Sequence, residues 1–409
     1  MKANLKKLLA MVMALAMILA LAACGSSSEP SSNESTDNTV SESDAGESAA
    51  TSGGTIIWLS NVSSGIQYEA SVAYANAICD KLGYNFQVVY GNAFNDPAGN
   101  LSAVQTGMTS NVVGIIASQD GGIQNIMEEY PDLYVVGYNS DMAAIYGEGG
   151  TAVDLLNNDH WLGTFVDGHA SGVDLGHDYA EAVIEQGYKK VAIITFPSYA
   201  YPQMGVGDAQ FRAEIEEYNA TASEPIEIVG DTKVLEFAPL DESWFMESGN
   251  GDLDAIVGLC AGIQFIYPAM KSAMANGLCS ADTKLLSAGL DTADDIVADI
   301  GGDGVIQYIN VSPAEDIAWA LVLLDNALQG KQYADWSAER IDSAAYVIDS
   351  HEDIENVVAK SMNGTGNIDF AQISLGDLET VLTRYNPDAT YAQLNELFHS
   401  EQISVDALA

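Results

Sequence analysis

Short apolar segments alternate with helical repeats along most of this chain. Residues 55–59 (TIIWL) form the first apolar segment, apolar positions at helical spacing follow up to Gly83, and residues 86–90 (FQVVY) form a second segment. Segments of this length that are rich in β-branched residues are typical of strands buried on both faces of a parallel sheet. The order strand, helix, strand predicts a βαβ unit at the start of the folded region.

The same alternation continues to about residue 330 and divides into two series. Further strands are predicted at 112–117 and 133–138 in the first series, and at 191–195, 226–229, 255–259, 284–287 and 305–310 in the second. Helical patterns separate these segments, and the last of them predicts a long amphipathic helix over 313–328. The pattern therefore predicts an α/β protein with two doubly wound parallel-sheet lobes.

Residues 163–196 join the two series and change their periodicity twice. An extended segment ends near Val166, a helical pattern runs from Val173 to a stop at Gly187, and the strand at 191–195 follows. From Lys331 onwards the patterns are weaker. Helices are predicted there only at 349–360 and 386–397, with Ser350 and Asp388 as candidate N-caps.

Polar residues follow several of the predicted strands, at the sheet edge where doubly wound proteins bind ligands. We predict a binding site formed by Asn61, Gln119, Asp120, Asn139, Asp141, Tyr199, Tyr201, Asp291 and Asn310, together with Asp167 and His169 beside the joining segment. Carboxylates and amides can bond hydroxyl groups, and aromatic rings can stack on a sugar face. Turn formation is the alternative role for Asn61 and Asn139, and packing at the rim is the alternative for the two tyrosines.

The N-terminus predicts export. Lysines at positions 2, 6 and 7 precede an apolar run over 8–20, and Leu21-Ala22-Ala23-Cys24 resembles the bacterial lipobox, whose cysteine is lipidated. A single membrane-spanning anchor is the alternative, but the run is shorter than the ~20 residues a spanning helix needs. We therefore predict a signal peptide over 1–23, a lipid anchor on Cys24 at the outer face of the bacterial cytoplasmic membrane, and a polar tether over 24–54.

Charge and cysteine usage exclude several functions. The formal net charge of −44 repels phosphate backbones and argues against nucleic acid as a partner. Cys79, Cys260 and Cys279 show no metal-binding spacing with histidine, and a predicted helix separates Cys260 from Cys279 too far for a disulfide. We expect three small buried side chains, no metal and no cofactor.

Catalytic motifs are missing from the sequence. No nucleophile elbow, phosphate-binding Gly-Lys-Ser loop or dinucleotide fingerprint follows a predicted strand, so we expect a protein that is not an enzyme. An exported glycoside hydrolase stays open as a weaker alternative, because its paired carboxylates could be drawn from the many acidic residues.

The order of several short motifs resembles that of the type I periplasmic substrate-binding proteins, the ribose- and galactose-binding relatives. The similarity covers about residues 55–330 and rests on Asn95-Asp96-Pro97-Ala98, VVGIIAS at 112–118, Gly187-Tyr188-Lys189-Lys190, Leu253-Asp254-Ala255-Ile256 and Ala288-Gly289-Leu290-Asp291. The resemblance implies two lobes joined by three crossovers, near 165–167, 309–310 and 331–336. It implies an N-terminal lobe of 55–166 with 309–335 and a C-terminal lobe of 167–308 with 336–409, which includes a C-terminal extension.

The resemblance also implies a function. A ligand would bind in the cleft between the lobes, with Asn61, Asp141 and Asp291 at the family's polar positions and residues 165–169 as a hinge strand. The family's sugar-binding arginine and Asn-Asp pair are replaced here by residues 204–208 (MGVGD) and 260–262 (CAG), and its last polar pair by 311–313 (VSP). A sugar is expected first, with a nucleoside or amino acid derivative also possible.

The expected partners are an ABC permease and a small polar solute, with the protein acting as a monomer. A sensor that presents its ligand to a membrane histidine kinase is the alternative.

Overall fold

Two parallel sheets, each covered by helices, form the folded part of the chain in a computed structural model. The structure describes residues 53–60, 62–91, 96–147, 149–166, 172–343, 345–361 and 372–398. All of them belong to one unit, Thr51–Ala409. The α/β architecture predicted from the sequence is confirmed.

The first sheet has six strands, all parallel, in the order β12-β5-β4-β3-β1-β2. Its strands are β1 Thr55–Ser60, β2 Asn85–Tyr90, β3 Val112–Ala117, β4 Tyr134–Tyr138, β5 Trp161–Val166 and β12 Arg340–Asp342. Every residue of β5 is buried, because helices or loops cover both faces of the sheet.

The second sheet has seven strands. They are β6 Lys190–Thr195, β7 Glu227–Ile228, β8 Lys233–Val234, β9 Ala255–Gly258, β10 Lys284–Ala288, β11 Ile306–Val311 and β13 Tyr346–Ile348. The order is β13-β11-β10-β9-β6-β7, and β8 also pairs with β6. Only β13 is antiparallel to its neighbour.

Thirteen α-helices of the described residues cover these sheets. They are α1 Ile66–Leu82, α2 Pro97–Gly107, α3 Ile123–Glu129, α4 Ala143–Tyr146, α5 Gly172–Glu185, α6 Pro202–Asn219, α7 Gly262–Phe265, α8 Tyr267–Ala275, α9 Asp294–Val297, α10 Ile317–Leu328, α11 His351–Lys360, α12 Leu375–Val381 and α13 Tyr391–Phe398. Short 3₁₀ helices lie at Val153–Asn157, Glu242–Met246, Asn250–Asp252 and Ala314–Asp316. The helix predicted between Cys260 and Cys279 is two helices, with a break at Ile266.

The chain passes between the two cores four times, and this corrects the predicted crossovers and lobe bounds. The second passage follows Val311 rather than residues 309–310, because β11 pairs with β10 as far as Asn310. The third lies between Asp342 and Tyr346 rather than at 331–336, because β12 adds to the free edge of β5 in the first sheet. The fourth lies between α11 of the second core and α12 of the first.

The C-terminal helices belong to the first lobe and not, as predicted, to the second. The ring of Phe398 packs edge-on against Phe165, and Trp319 Nε1 donates to Asn395 Oδ1 at 2.9 Å. Arg384 forms an ion pair with the wholly buried Asp325 of α10. The tail therefore completes the core around α10, which is buried along nearly its whole length.

The three cysteines of the folded region confirm the sequence prediction. Cys79, Cys260 and Cys279 are free and buried, and burial raises the pKa of all three thiols. Among the residues that the structure describes, no helix has both the length and the apolar character needed to cross a membrane. The signal peptide, Cys24 and all of the tether up to residue 52 lie outside the described residues.

Candidate functional site

The carboxyl edges of the two sheets lie next to each other. Tyr346 pairs with Val311 at the carboxyl end of β11, and it lies four positions after Asp342, the residue at the carboxyl end of β12. Four residues span at most about 14 Å, so these two strand ends are close. Gln67 of α1 also donates its Nε2 hydrogen to the backbone oxygen of Ser312 at 3.0 Å. Polar groups at both carboxyl edges therefore face one region.

Gln119 is held inside the first lobe. Its side chain is 4% exposed, its Nε2 lies 3.5 Å from the backbone oxygen of Ser60, and its Oε1 accepts from Asn100 Nδ2 at 3.4 Å. Asn100 Nδ2 also donates to the backbone oxygen of Gly121 at 2.9 Å. Gln119 thus braces the ends of β1 and β3 against α2. Asn61, which follows Ser60, lies outside the described residues.

Asp120 and Asp141 meet at the start of α4. Asp120 Oδ2 accepts from the amide of Ala144 at 2.9 Å, and Asp141 Oδ1 accepts from the amide of Ala143 at 3.2 Å. Burial raises the pKa of Asp141, and the nearby charge of Asp120 raises it further, whereas the Ala143 amide and Arg340 act in the opposite direction. The structure therefore brings these two predicted carboxylates together.

The loop that joins β4 to α4 contains two residues with a strained backbone. Asn139 and Met142 have φ values of 55° and 47°, in the left-handed region that non-glycine residues seldom occupy. The Asn139 amide donates to the oxygen of Phe165 at 2.8 Å, and Thr164 Oγ1 donates to the oxygen of Ser140 at 2.9 Å. These bonds to β5 hold the strained loop, a feature that is frequent at binding sites.

Asp291 closes a turn at the carboxyl end of β10. Its Oδ1 accepts from the Ala293 amide at 2.9 Å, and Gln264 Nε2 donates to the oxygen of Leu290 at 3.2 Å. Gly289, before this turn, has a φ of 94°, which favours glycine. The Asp291 side chain thus has a structural bond in addition to its predicted ligand role.

Residues 260–262, where the sequence departs from the family's Asn-Asp pair, pack their backbone closely against Ser287. The Oγ of Ser287 accepts from the Gly262 amide at 2.9 Å and bonds the Cys260 oxygen at 3.0 Å. A Cβ on residue 262 would lie 2.0 Å from that Oγ. The backbone itself therefore fills the space at the ends of β9 and β10.

Aromatic rings cluster at the carboxyl end of β6. Phe196 packs against Tyr201, Phe237 and Phe265, with ring centroids 5.8, 5.3 and 4.9 Å away. Tyr199 is 73% exposed and donates to Glu236 Oε2 at 3.0 Å, so it lies outside this cluster. Phe237, which sequence reasoning missed, is 44% exposed and has a φ of 55°. No sequence pattern signals such a strained, exposed ring.

Asn310 pairs with Asp178. Like Phe237, Asp178 was not among the residues predicted from the sequence. Asn310 is fully buried near the end of β11, and its Nδ2 donates to Asp178 Oδ2 of α5 at 3.3 Å. Its Oδ1 has no hydrogen-bond partner among the described residues. Burial raises the pKa of Asp178 to about 6, with the carboxylates of Asp174 and Glu181 adding to the rise. Asp167 and His169, which precede α5, lie outside the described residues.

Histidine and carboxylate groups do not form a metal site in the described part of the chain. No group of three or more potential ligands is present there. His177 instead pairs with Glu214 at 2.9 Å, and this hydrogen bond raises its pKa.

Comparison with known proteins gives a structural likeness without a sequence match. No protein-family model matches the chain, and no curated protein matches it by sequence. Solved structures match the chain by their fold. A galactofuranose-binding protein has a TM-score of 0.56 at 14% identity, with 76% of this chain and 99% of that chain covered.

Two further structures represent the classes found. An ABC transporter solute-binding protein from Burkholderia graminis, solved with D-arabinose, has a TM-score of 0.52 at 16% identity and covers 72% of this chain and 94% of that chain. A putative LacI transcriptional regulator from Bacteroides fragilis has a TM-score of 0.51 at 9% identity, covering 74% and 97%. The likeness shows the two-lobe fold of the type I periplasmic binding proteins and confirms the resemblance inferred from the motifs.

Proposed function

We propose that this protein is the lipid-anchored solute-binding component of an ABC importer, and that it binds a small polar solute between its two sheets. A sugar is the first candidate and a nucleoside the second. The observation that carries the proposal is the fold, with polar groups at the adjacent carboxyl edges of both sheets. Ligands of doubly wound proteins bind at this edge. The structural neighbours include sugar-binding components of ABC transporters.

The chain passages supply a route from binding to transport. In two-lobe proteins a ligand that contacts both lobes favours the closed arrangement, and a few residues between the lobes absorb the rotation. Here the second and third passages span only the residues between Val311 and the 3₁₀ helix Ala314–Asp316, and between Asp342 and Tyr346. A closed form distinct from the open one gives a permease a signal that solute is present.

The test is a solute panel with two readouts. The full chain without its signal peptide is screened by thermal shift against hexoses, pentoses, nucleosides and amino acids, and solutes that co-purify with it are identified by native mass spectrometry. We expect stabilisation by at least one sugar or nucleoside, since a ligand at 100 times its Kd adds about 2.7 kcal/mol. The absence of any stabilising or co-purified solute would overturn the proposal.

The same panel separates binding from hydrolysis. Aryl glycosides of the stabilising sugars are incubated with the protein and analysed for released phenol. We expect the glycosides to be recovered unchanged. Sustained turnover would instead support the exported hydrolase.

A further inference from the structure

The pair formed by Asp178 and Asn310 lies where two of the chain passages meet. Asp178 is in the second turn of α5, the helix that follows the first passage, and Asn310 is one residue from the end of β11, the strand that enters the second. The hydrogen bond of 3.3 Å between them therefore ties together the elements that carry both passages. A ligand bound to this pair would act directly on the segments that must move when the lobes close.

One acceptor atom of the pair, Asn310 Oδ1, receives no hydrogen bond from the described residues. Asn310 is fully buried, its Nδ2 faces the Asp178 carboxylate, and its Oδ1 has no partner among the described residues. The carboxylate fixes this amide orientation, because a flipped amide would place two oxygens against each other. A buried acceptor without a donor destabilises the folded state. The missing group is thus a donor that arrives from outside the described chain.

The charges around the site favour a cationic donor. His177, which is paired with Glu214, lowers the pKa of Asp178 from the same helix, whereas the carboxylates of Asp174 and Glu181 raise it, and Asp120 and Asp141 lie at the carboxyl edge of the first sheet. Lys190 and Lys284 are the first residues of β6 and β10, so they lie at the opposite edge of the second sheet. Arg340 is engaged by Asp342, with Nη2 and Oδ1 3.0 Å apart.

We propose that the solute carries a protonated amine, as an amino sugar does, and that Asp178 and Asn310 hold this amine. The ammonium donates to the half-buried Asp178 carboxylate and supplies the hydrogen bond that Asn310 Oδ1 lacks. The inference rests on the proposed function and deepens it, because it names the class of the solute. It also predicts that sugar acids, which would bring a second negative charge to these carboxylates, are excluded.

The test compares hexoses with their 2-amino derivatives by isothermal titration calorimetry at pH 7.5. Glucose, galactose and mannose are each paired with the hexosamine, its N-acetyl derivative and the corresponding uronic acid. We expect at least one hexosamine to bind about ten times or more as tightly as its parent hexose and its neutral N-acetyl form, because a charge-assisted bond contributes more than a neutral one. Uronic acids should not bind.

Variants assign the effect to the pair. Asp178→Asn should reduce the affinity for the hexosamine at least about tenfold and change that for the neutral hexose less than about twofold. Asp178→Glu, which keeps the charge, should retain part of the preference. Asp252→Asn removes the same charge from the same lobe at the other edge, where its side chain is 93% exposed, and serves as the matched control.

The possible results distinguish a failure of the amine inference from a failure of the proposed function. Hexoses that bind as tightly as their amines, or an amine preference unchanged in Asp178→Asn and in Asp178→Glu, would overturn the inference and leave the proposed function standing. If no hexose, nucleoside or amine binds at all, both fail. Thermal unfolding of each variant confirms that a lost affinity does not reflect a lost fold.

Discussion

At the scale of single residues, the sequence could predict the position of some polar side chains and not of others. Polar residues directly after a strand, such as Asp120 and Asp141, could be predicted because the end of a parallel strand fixes their edge of the sheet. Asp178 could not, because a carboxylate in the middle of an amphipathic helix resembles any solvated helix position. Its role depends on the packing of α5 against β11, which no local pattern encodes.

The raised pKa of Asp178 predicts how amine binding depends on pH. Burial raises the pKa of this carboxyl to about 6, so hexosamine affinity should fall as pH drops from about 7 to 5. Titration calorimetry at four pH values measures this. The groups that face Asp178 are Asp174, His177 and Glu181 on α5, and Tyr308 and Asn310 on β11.

His177 provides the control for this prediction, because it is adjacent to Asp178 and its hydrogen bond to Glu214 raises its pKa above the ordinary value. Replacement of His177 by Gln should leave the decline in place, whereas Asp178→Asn should abolish it. A decline that persists in Asp178→Asn would assign the titration to another group.

The buried Glu315 should make the folded protein less stable as pH rises. A paired surface carboxylate has the opposite effect. It is 1% exposed beside the second passage and accepts hydrogen bonds from Ser361 and Tyr346, yet burial still raises its pKa. The folded state therefore holds this proton more tightly than the unfolded state, and stability is lost as pH rises above the ordinary pKa of about 4.5.

The variant Glu315→Gln removes this titration. Its free energy of unfolding relative to the wild type should rise between pH 4.5 and pH 7, by about 1.4 kcal/mol for each unit of pKa shift. Urea unfolding at the two pH values measures the difference. A difference that stays constant with pH would show that Glu315 does not titrate as described.

At the scale of elements, strands of five or six residues were predicted and the short elements of the tail were not. The strands of the first sheet and most of the second lie within one or two residues of the apolar segments. β12 and β13 have three residues each and α12 has seven, too few to show a period. Their placement is set by a free sheet edge and an uncovered core, both of which exist only after the rest has folded.

The last helix should stabilise the first lobe. Phe398 is 2% exposed and packs against Phe165, so Phe398→Ala should lower the free energy of unfolding by about 3 to 5 kcal/mol. Tyr385→Ala, at a side chain that is 50% exposed, is the control and should change it by less than about 0.5 kcal/mol. Equal effects in the two variants would mean that α13 is not part of the core.

At the scale of the whole molecule, the two sheets belong to one unit, and the chain crosses between their cores four times within the described residues. The likeness to solved two-lobe proteins and the strand order of the two sheets agree on the fold, although the sequence misplaced two passages and the tail. The resemblance to the family predicted three crossovers. The fourth passage arises because the additional C-terminal helices return to the first core.

The lipid anchor is tested on whole cells. Expressed in a bacterium with its signal peptide, the wild-type chain should partition into the detergent phase with the membrane fraction, whereas Cys24→Ala should appear uncleaved or in the aqueous phase. Mass spectrometry of the N-terminal peptide should find an acylated cysteine. Equal partitioning of the two forms would contradict lipidation at Cys24.

We expect one small polar solute to bind between the two sheets. Calorimetric titration of the purified protein with the solute panel measures this binding directly. The stoichiometry should be one, the Kd micromolar or lower for at least one hexosamine, and the response to its parent hexose weaker. No heat of binding from any sugar, amine or nucleoside in the panel would contradict it.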